Sequence, residues 1–183
     1  MIYTASELKT VFKNFYHIKA AIKEGKLFKA GHGLYSDRNP FLYEMELIFA
    51  KRNDGILTLQ SAFAFYGLTD WIPDFYQIAT KNGAHKIKNE KVKQIYMTDD
   101  ILNIGKQTIK TDWGFINIYN KERLLIELFR LKSKISYPIY KEVVNSYRHL
   151  AENDELDFVK IVQYCACFIK GGSILKKIQE VIL

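Results

Sequence analysis

The order of elements written into Thr4 to Tyr35 constrains this chain more than any other feature. Thr4-Ala5-Ser6-Glu7 has the Ser/Thr-x-x-Glu spacing of a capping box, in which hydroxyl and carboxylate satisfy backbone donors at a helix start. The spacing predicts a short first helix to about Phe12, with Leu8 and Val11 facing inward. Asn14 then caps a second helix whose Phe15, Ile18, Ala21 and Ile22 fall on one stripe, and Gly25 ends it. Lys26 to Tyr35 alternates basic and apolar residues around Gly31 and Gly33, the pattern of a hairpin. Helix, turn, helix and basic hairpin together are the succession of a winged helix-turn-helix.

The outward face of the second helix carries Tyr16, His17, Lys19, Ala20 and Lys23, with no acid among them. Cationic and hydrogen-bonding side chains of this kind suit a groove bordered by phosphates. Tyr16, His17, Lys19 and Lys23 are therefore the candidates for the groove helix. Lys26, Lys29 and His32 are candidates on the wing, and Lys9 and Lys13 for phosphate contacts near the turn. Tyr16 and His17 could touch base edges, whereas the lysines supply affinity and register. A charged helix face can equally be a solvated face, so the succession of elements carries the DNA-binding expectation, not the lysines alone.

Charge is distributed to match. The 183 residues carry a formal net charge of +7, and residues 1–39 hold seven Lys/Arg against three acids, or +4 of it. A second basic stretch, Lys81 to Lys93, holds five lysines and one acid. It is expected as an exposed loop, with RNA contact as the alternative. The 48% hydrophobic and 14% aromatic fractions exclude a disordered chain. Met1 to Thr4 has neither a basic lead nor an apolar signal core, no stretch approaches a membrane span, and no membrane partner is expected. A cytoplasmic setting follows as the expectation. Cys165 and Cys167, two apart in a predicted helix, cannot form a normal disulfide and are expected as buried small residues.

Beyond the polar turn Ser36 to Pro40, the chain is expected to form an α+β protein: a mixed sheet followed by grouped helices. The boundary is placed after residue 39, with a winged module over 1–39 and an α+β domain over 40–183. A helix is expected around Phe41 to Arg52, and Thr58 is expected to cap a short one over Leu59 to Tyr66. Strands are expected near Phe75–Thr80, Val92–Met97, Gln107–Thr111 and Phe115–Tyr119. Helices should begin at Lys121 after Asn120, at Pro138, at Asp157, and after Ser173.

Catalytic chemistry finds little to use. His17, His32, His85 and His149 share no metal-ligand spacing, and no phosphate-binding Gly loop is present. Pro73-Asp74 could open a carboxylate-and-lysine nuclease site, but no Asp/Glu-x-Lys triplet follows it. Asp99-Asp100 fits a turn better than an acid/base pair. No catalytic residue, metal or cofactor is expected.

Three segments, taken together, resemble the AbiE-type antitoxins of type IV toxin-antitoxin, or abortive-infection, systems. The first is Glu7-Leu8-Lys9 followed by Ile22 to Leu27 and Gly33-Leu34-Tyr35. The second, and most specific, is Leu59 to Pro73, similar to that family's "sALxxhGLtdxxP" stretch. The third is Tyr119 to Leu128, with Leu124 and Glu127 where the family usually has Thr and Asp. Trp71-Ile72-Pro73 is expected to close the core, and Glu122 and Arg123 to act at a helix start, with Arg123 reaching the sheet. The resemblance implies a phage-defence protein that represses its own operon by binding promoter inverted repeats. Two copies on DNA would follow from such an operator. It also implies a nucleotidyltransferase-like toxin opposed without a stable complex. The rival readings are a protein-interaction module, with Phe15 to Leu34 docking a partner, and an RNA-binding regulator.

Overall fold

The computed structural model describes residues 2–12, 14–31, 33–37, 44–112 and 114–183. Lys13, His32, Phe41 and Pro40 lie outside them, as does the side chain of Phe15. The chain is α+β and divides into two compact units, residues 1–55 with 108–116, and residues 56–107 with 117–183.

In the first unit, β1 (Ile2–Thr4), α1 (Ala5–Phe12), α2 (Phe15–Lys23), β2 (Phe28–Gly31), β3 (Leu34–Ser36) and α3 (Glu44–Lys51) follow in order. The three strands form an antiparallel sheet in the order β1-β3-β2. The capping box closes as its residues dictate. Thr4 N donates to Glu7 Oε2 at 2.6 Å, and Glu7 N donates to Thr4 Oγ1 at 3.3 Å. Leu8, Ile18, Ala21, Leu27 and Tyr35 form the buried core, with Tyr3, Ala5, Phe12 and Ile22 packed against it.

Two expectations are corrected here. Val11 is 72% exposed, because the inward stripe of α1 runs Ala5, Leu8, Phe12 at spacings of three and four. The first unit also extends past residue 39: α3 packs on β1 and β3, so the helix after the polar turn belongs with this sheet.

The second unit holds β4 (Ile56–Leu57), α4 (Leu59–Phe65), β5 (Tyr76–Lys81), β6 (Val92–Met97) and α5 (Asp99–Leu102). After β7 (Lys106–Thr111) and β8 (Gly114–Tyr119), whose residues 108–116 count with the first unit, come α6 (Lys121–Arg130), α7 (Tyr137–Glu152), α8 (Phe158–Ala166) and α9 (Gly171–Ile182). The mixed sheet runs β6-β5-β4-β8-β7, with β5 parallel to β6 and β4 parallel to β8. Helix α4 packs on β5 and against α6, and α6, α8 and α9 pack against each other, with Phe63, Leu124, Leu125, Leu128, Ile161 and Ile178 buried. Among the described residues no helix is long and apolar enough to cross a membrane.

Helix starts show where short-range chemistry holds and where it yields. Asn120 accepts from Arg123 N at 3.0 Å, and Asp157 from Lys160 N at 3.0 Å, both as N-caps. Thr58 occupies the N-cap of α4, yet its hydroxyl makes no capping bond. Gln77 of β5 supplies it from outside, accepting from Gln60 N at 2.8 Å. Nor does Ser173 begin α9, which starts at Gly171. A Cβ at Gly171 would collide with the carbonyl oxygen of Cys165, so the glycine admits the close approach of α8 and α9. Of the two cysteines, Cys165 is buried as expected and Cys167 is exposed.

Candidate nucleic-acid interface

Local signals set α2 at both ends. Asn14 Oδ1 accepts from Tyr16 N at 3.1 Å and His17 N at 3.2 Å. At the other end Lys26 N donates to Ala21 O at 2.9 Å and Gly25 N to Ile22 O at 3.1 Å. These two bonds are a Schellman motif, and they require the left-handed backbone that Gly25 adopts at φ +70°. The helix therefore stops after Lys23, and Leu27 can turn into the core.

With Ile18 and Ala21 buried and Ile22 half-buried, the opposite face is fixed. Tyr16, Lys19, Ala20 and Lys23 follow at spacings of three and four and share that face; Tyr16 is 77% exposed. Lys9 on α1 and Lys29 on β2 are exposed as well. Lys13 and His32 lie outside the described residues.

Neighbouring acids are committed to local partners. Glu7 serves the Thr4 capping box. Glu24 pairs with Lys26 at 2.8 Å. The Lys26 ammonium, by hydrogen bond and charge, holds the Glu24 carboxyl below the usual range, and Glu24 raises Lys26 in turn. Among the described wing candidates, Lys26 is thus the one with an ion pair inside its own turn, and its reach toward a phosphate competes with that pair.

His17 is constrained differently from what its sequence position suggests. Its Nδ1 lies 2.9 Å from Asn14 Oδ1, the same oxygen that accepts two backbone N–H groups. An oxygen in that role only accepts, so Nδ1 donates to it and Nε2 is the ring nitrogen left for another partner. The ring also meets Tyr16 edge to face at 6.0 Å. His17 therefore steadies the start of α2, and only its far nitrogen is available to a ligand.

The remaining sequence-predicted sites are in the second unit. Trp71 is 57% and Ile72 is 85% exposed, so the Leu59 to Pro73 stretch does not close the core with its last residues as expected. Its earlier residues Leu59, Ser61, Ala62, Phe63 and Leu68 do. Arg123 is fully buried. It pairs with Glu127 on its own helix, donates to the carbonyls of Ile101 and Ile104, and reaches the sheet at Met97 Sδ of β6, 3.5 Å away, and at the Tyr119 ring of β8. Nothing in the spacing of Arg123 and Glu127 distinguished a buried pair from the common exposed one. Among the described residues, no group of three or more His, Cys, Asp or Glu side chains is arranged to hold a metal ion.

No protein-family model matches this chain, and no curated protein matches it. Among solved structures it is similar to the crystal structure of the RV2827C protein from Mycobacterium tuberculosis, with a TM-score of 0.59 and 12% identity. The match covers 96% of this chain and 71% of that one, and at such identity the likeness is one of fold.

Proposed function

We propose that this chain is a cytoplasmic, non-enzymatic DNA-binding antitoxin of the AbiE type that represses its own operon. In this reading the first unit is a winged helix-turn-helix: α1 and α2 are its two helices, α2 enters the groove, and the β2–β3 hairpin is the wing. Lys19 and Lys23 contact phosphates, Tyr16 and the Nε2 of His17 meet base edges, and Lys9 and Lys29 extend the backbone contacts. Two copies would occupy an inverted repeat. A nucleotidyltransferase-like toxin would be opposed without a lasting complex.

The observation that carries the reading is the division of α2: Ile18 and Ala21 are buried, while Tyr16, Lys19 and Lys23 face outward with no acid among them. The pairing of Glu24 with Lys26 adds to it, since the charge of that carboxylate is offset locally. A footprint on the chain's own promoter tests it, comparing the intact protein with Lys19→Ala/Lys23→Ala. Protection of an inverted repeat that the double variant loses is the expected result. Equal protection by both proteins, or none by either, overturns the assignment.

A further inference from the structure

The Leu59 to Pro73 stretch is divided by burial, and its exposed end is unexplained by the fold. Trp71 is 57%, Ile72 85% and Phe75 38% exposed, although burying one large apolar side chain is worth about 1.5–3 kcal/mol. Between this loop and the start of α4 lies a slot of about 90 Å³, lined by Gln60, Trp71, Asp74, Phe75, Gln77 and Lys93. That is well under the roughly 300 Å³ at which pockets for whole small molecules begin. It suits one flat ring system whose substituents remain outside.

The walls are held in place independently of any ligand. Ser61 Oγ donates to Phe75 O at 3.0 Å and accepts from Gln77 N at 2.9 Å. Gln77 Oε1 caps α4 through Gln60 N at 2.8 Å, and both residues line the slot. At the loop's start, Glu142 accepts from Thr69 Oγ1 at 2.7 Å and from Asp70 N at 2.8 Å. Lys93, opposite Gln77 in the parallel β5–β6 register, places its ammonium 4.1 Å from the Phe75 ring centroid. Aromatic faces, an amide edge, a carboxylate and a cation thus converge on one small opening.

We propose that this slot stacks one unpaired nucleobase of a single-stranded nucleic acid, while the lysines of segment 81–93 follow its phosphates. Rings supply stacking that any base can use; Gln60, Asp74 and Gln77 offer both donors and acceptors to a base edge. The connection from β5 to β6 exposes Lys81, Lys86, Lys88, Lys91 and Lys93 against the single acid Glu90. Its positive sign complements a phosphate chain entering or leaving the slot. A docked protein would find charged and amide groups where an apolar anchor needs to be buried, so the slot favours the nucleic acid.

The test is made in the Lys19→Ala/Lys23→Ala background, so that the face on α2 cannot supply the signal. Anisotropy of a labelled mixed-sequence 12-nucleotide strand, as RNA and as DNA, is measured with and without Trp71→Ala. About a tenfold loss of affinity is expected from Trp71→Ala. With Trp113→Phe leaving Trp71 as the only tryptophan, its emission should be quenched as the strand binds. Tighter binding of RNA than of DNA names the source as RNA; equal or tighter DNA binding names single-stranded DNA. Unmoved Trp71 emission together with unchanged affinity in both Trp71→Ala and Phe75→Ala overturns the site. So does a stable protein complex that Trp71→Ala disrupts while neither strand binds. Circular dichroism confirms folding of the exposed-residue variants. Loss of the promoter footprint with this site intact would fail the DNA-binding reading alone.

Discussion

Arg123 and Glu127, neither with any solvent exposure, face each other one turn apart on α6 with Nη2 and Oε1 separated by 2.8 Å. Arg130 closes on the second carboxylate oxygen at 2.6 Å. Arg123 Nη1 also donates to Ile101 O at 2.6 Å and Ile104 O at 3.0 Å, and the guanidinium lies 4.4 Å from the Tyr119 ring centroid. Two cations therefore share one carboxylate in the interior of the second unit. Glu127→Gln leaves both guanidiniums without their counter-charge and should cost about 3–5 kcal/mol, the range for breaking a buried pair from one side. Urea denaturation of the two proteins checks it. A loss under 1 kcal/mol would mean that the carbonyls alone hold Arg123.

Gly171 and Gly172 are adjacent in sequence and opposite in consequence. A Cβ at 171 meets the Cys165 carbonyl, whereas one at 172 meets nothing within 4 Å. Gly171→Ala should separate α8 from α9 and lower stability by about 1–3 kcal/mol, the usual range for overpacking. Gly172→Ala should be neutral or stabilise by about 0.4–1 kcal/mol through the unfolded chain. Thermal melts of the pair measure the contrast, and equal shifts would refute the close approach.

Elements whose ends carry their own chemistry could be read from the residues. The Thr4-Glu7 box, Asn14, Asn120 and the Gly25 stop are all within four residues of what they satisfy. What could not be read depends on distant partners. Strand β4 is two residues long and exists only because β5 and β8 pair with it on both sides. Thr58 yields its capping role to Gln77, nineteen residues away, because the sheet brings that amide to the helix. Gly171 opens a helix because α8 must be approached there, although by itself a Gly-Gly pair suggests a break. In the candidate interface, the outward face of α2 followed from periodicity. The turning of His17 onto Asn14 did not, since it needs the actual rotamer.

The two thiols should differ sharply in reactivity. Cys165 is buried, and burial pushes its thiol up to about 11, while Cys167 is exposed. The thiolate is the reacting form, so a maleimide at pH 8 should modify one thiol quickly and the other only on unfolding. Cys167→Ser should remove the fast phase. Fast labelling of that variant would show that α8 opens readily.

On the first unit, Lys19→Ala/Lys23→Ala should weaken binding to all DNA sequences and reduce the slope of log affinity against log salt by roughly one to two units. Lys26→Ala should do much less, because Glu24 already balances that ammonium at 2.8 Å. Glu24→Ala should tighten binding by releasing it. Competition gel shifts at three salt concentrations separate these outcomes. An effect of Lys26→Ala as large as that of the double variant would move the phosphate track from α2 to the wing.

Glu142 gives the loop before Trp71 a defined acid sensitivity. The Asp70 N–H and then the Thr69 hydroxyl hold its carboxyl below the ordinary glutamate value, about 4.3 in unfolded chains. A depressed folded pKa means that the carboxylate contributes stability above the unfolded value and loses it as pH falls through the folded one. The stability gap between the parent protein and Glu142→Gln should therefore be constant from pH 7 to about 5 and shrink below about 4.3. In a Trp113→Phe background, Trp71 anisotropy should be lower in Glu142→Gln at pH 7, since the substituted amide keeps only one acceptor oxygen for two donors. Denaturant midpoints measured from pH 3 to 7 decide the matter. A gap that widens toward acid would mean that the Glu142 carboxyl is held in its protonated form, the reverse of what two donated hydrogen bonds require.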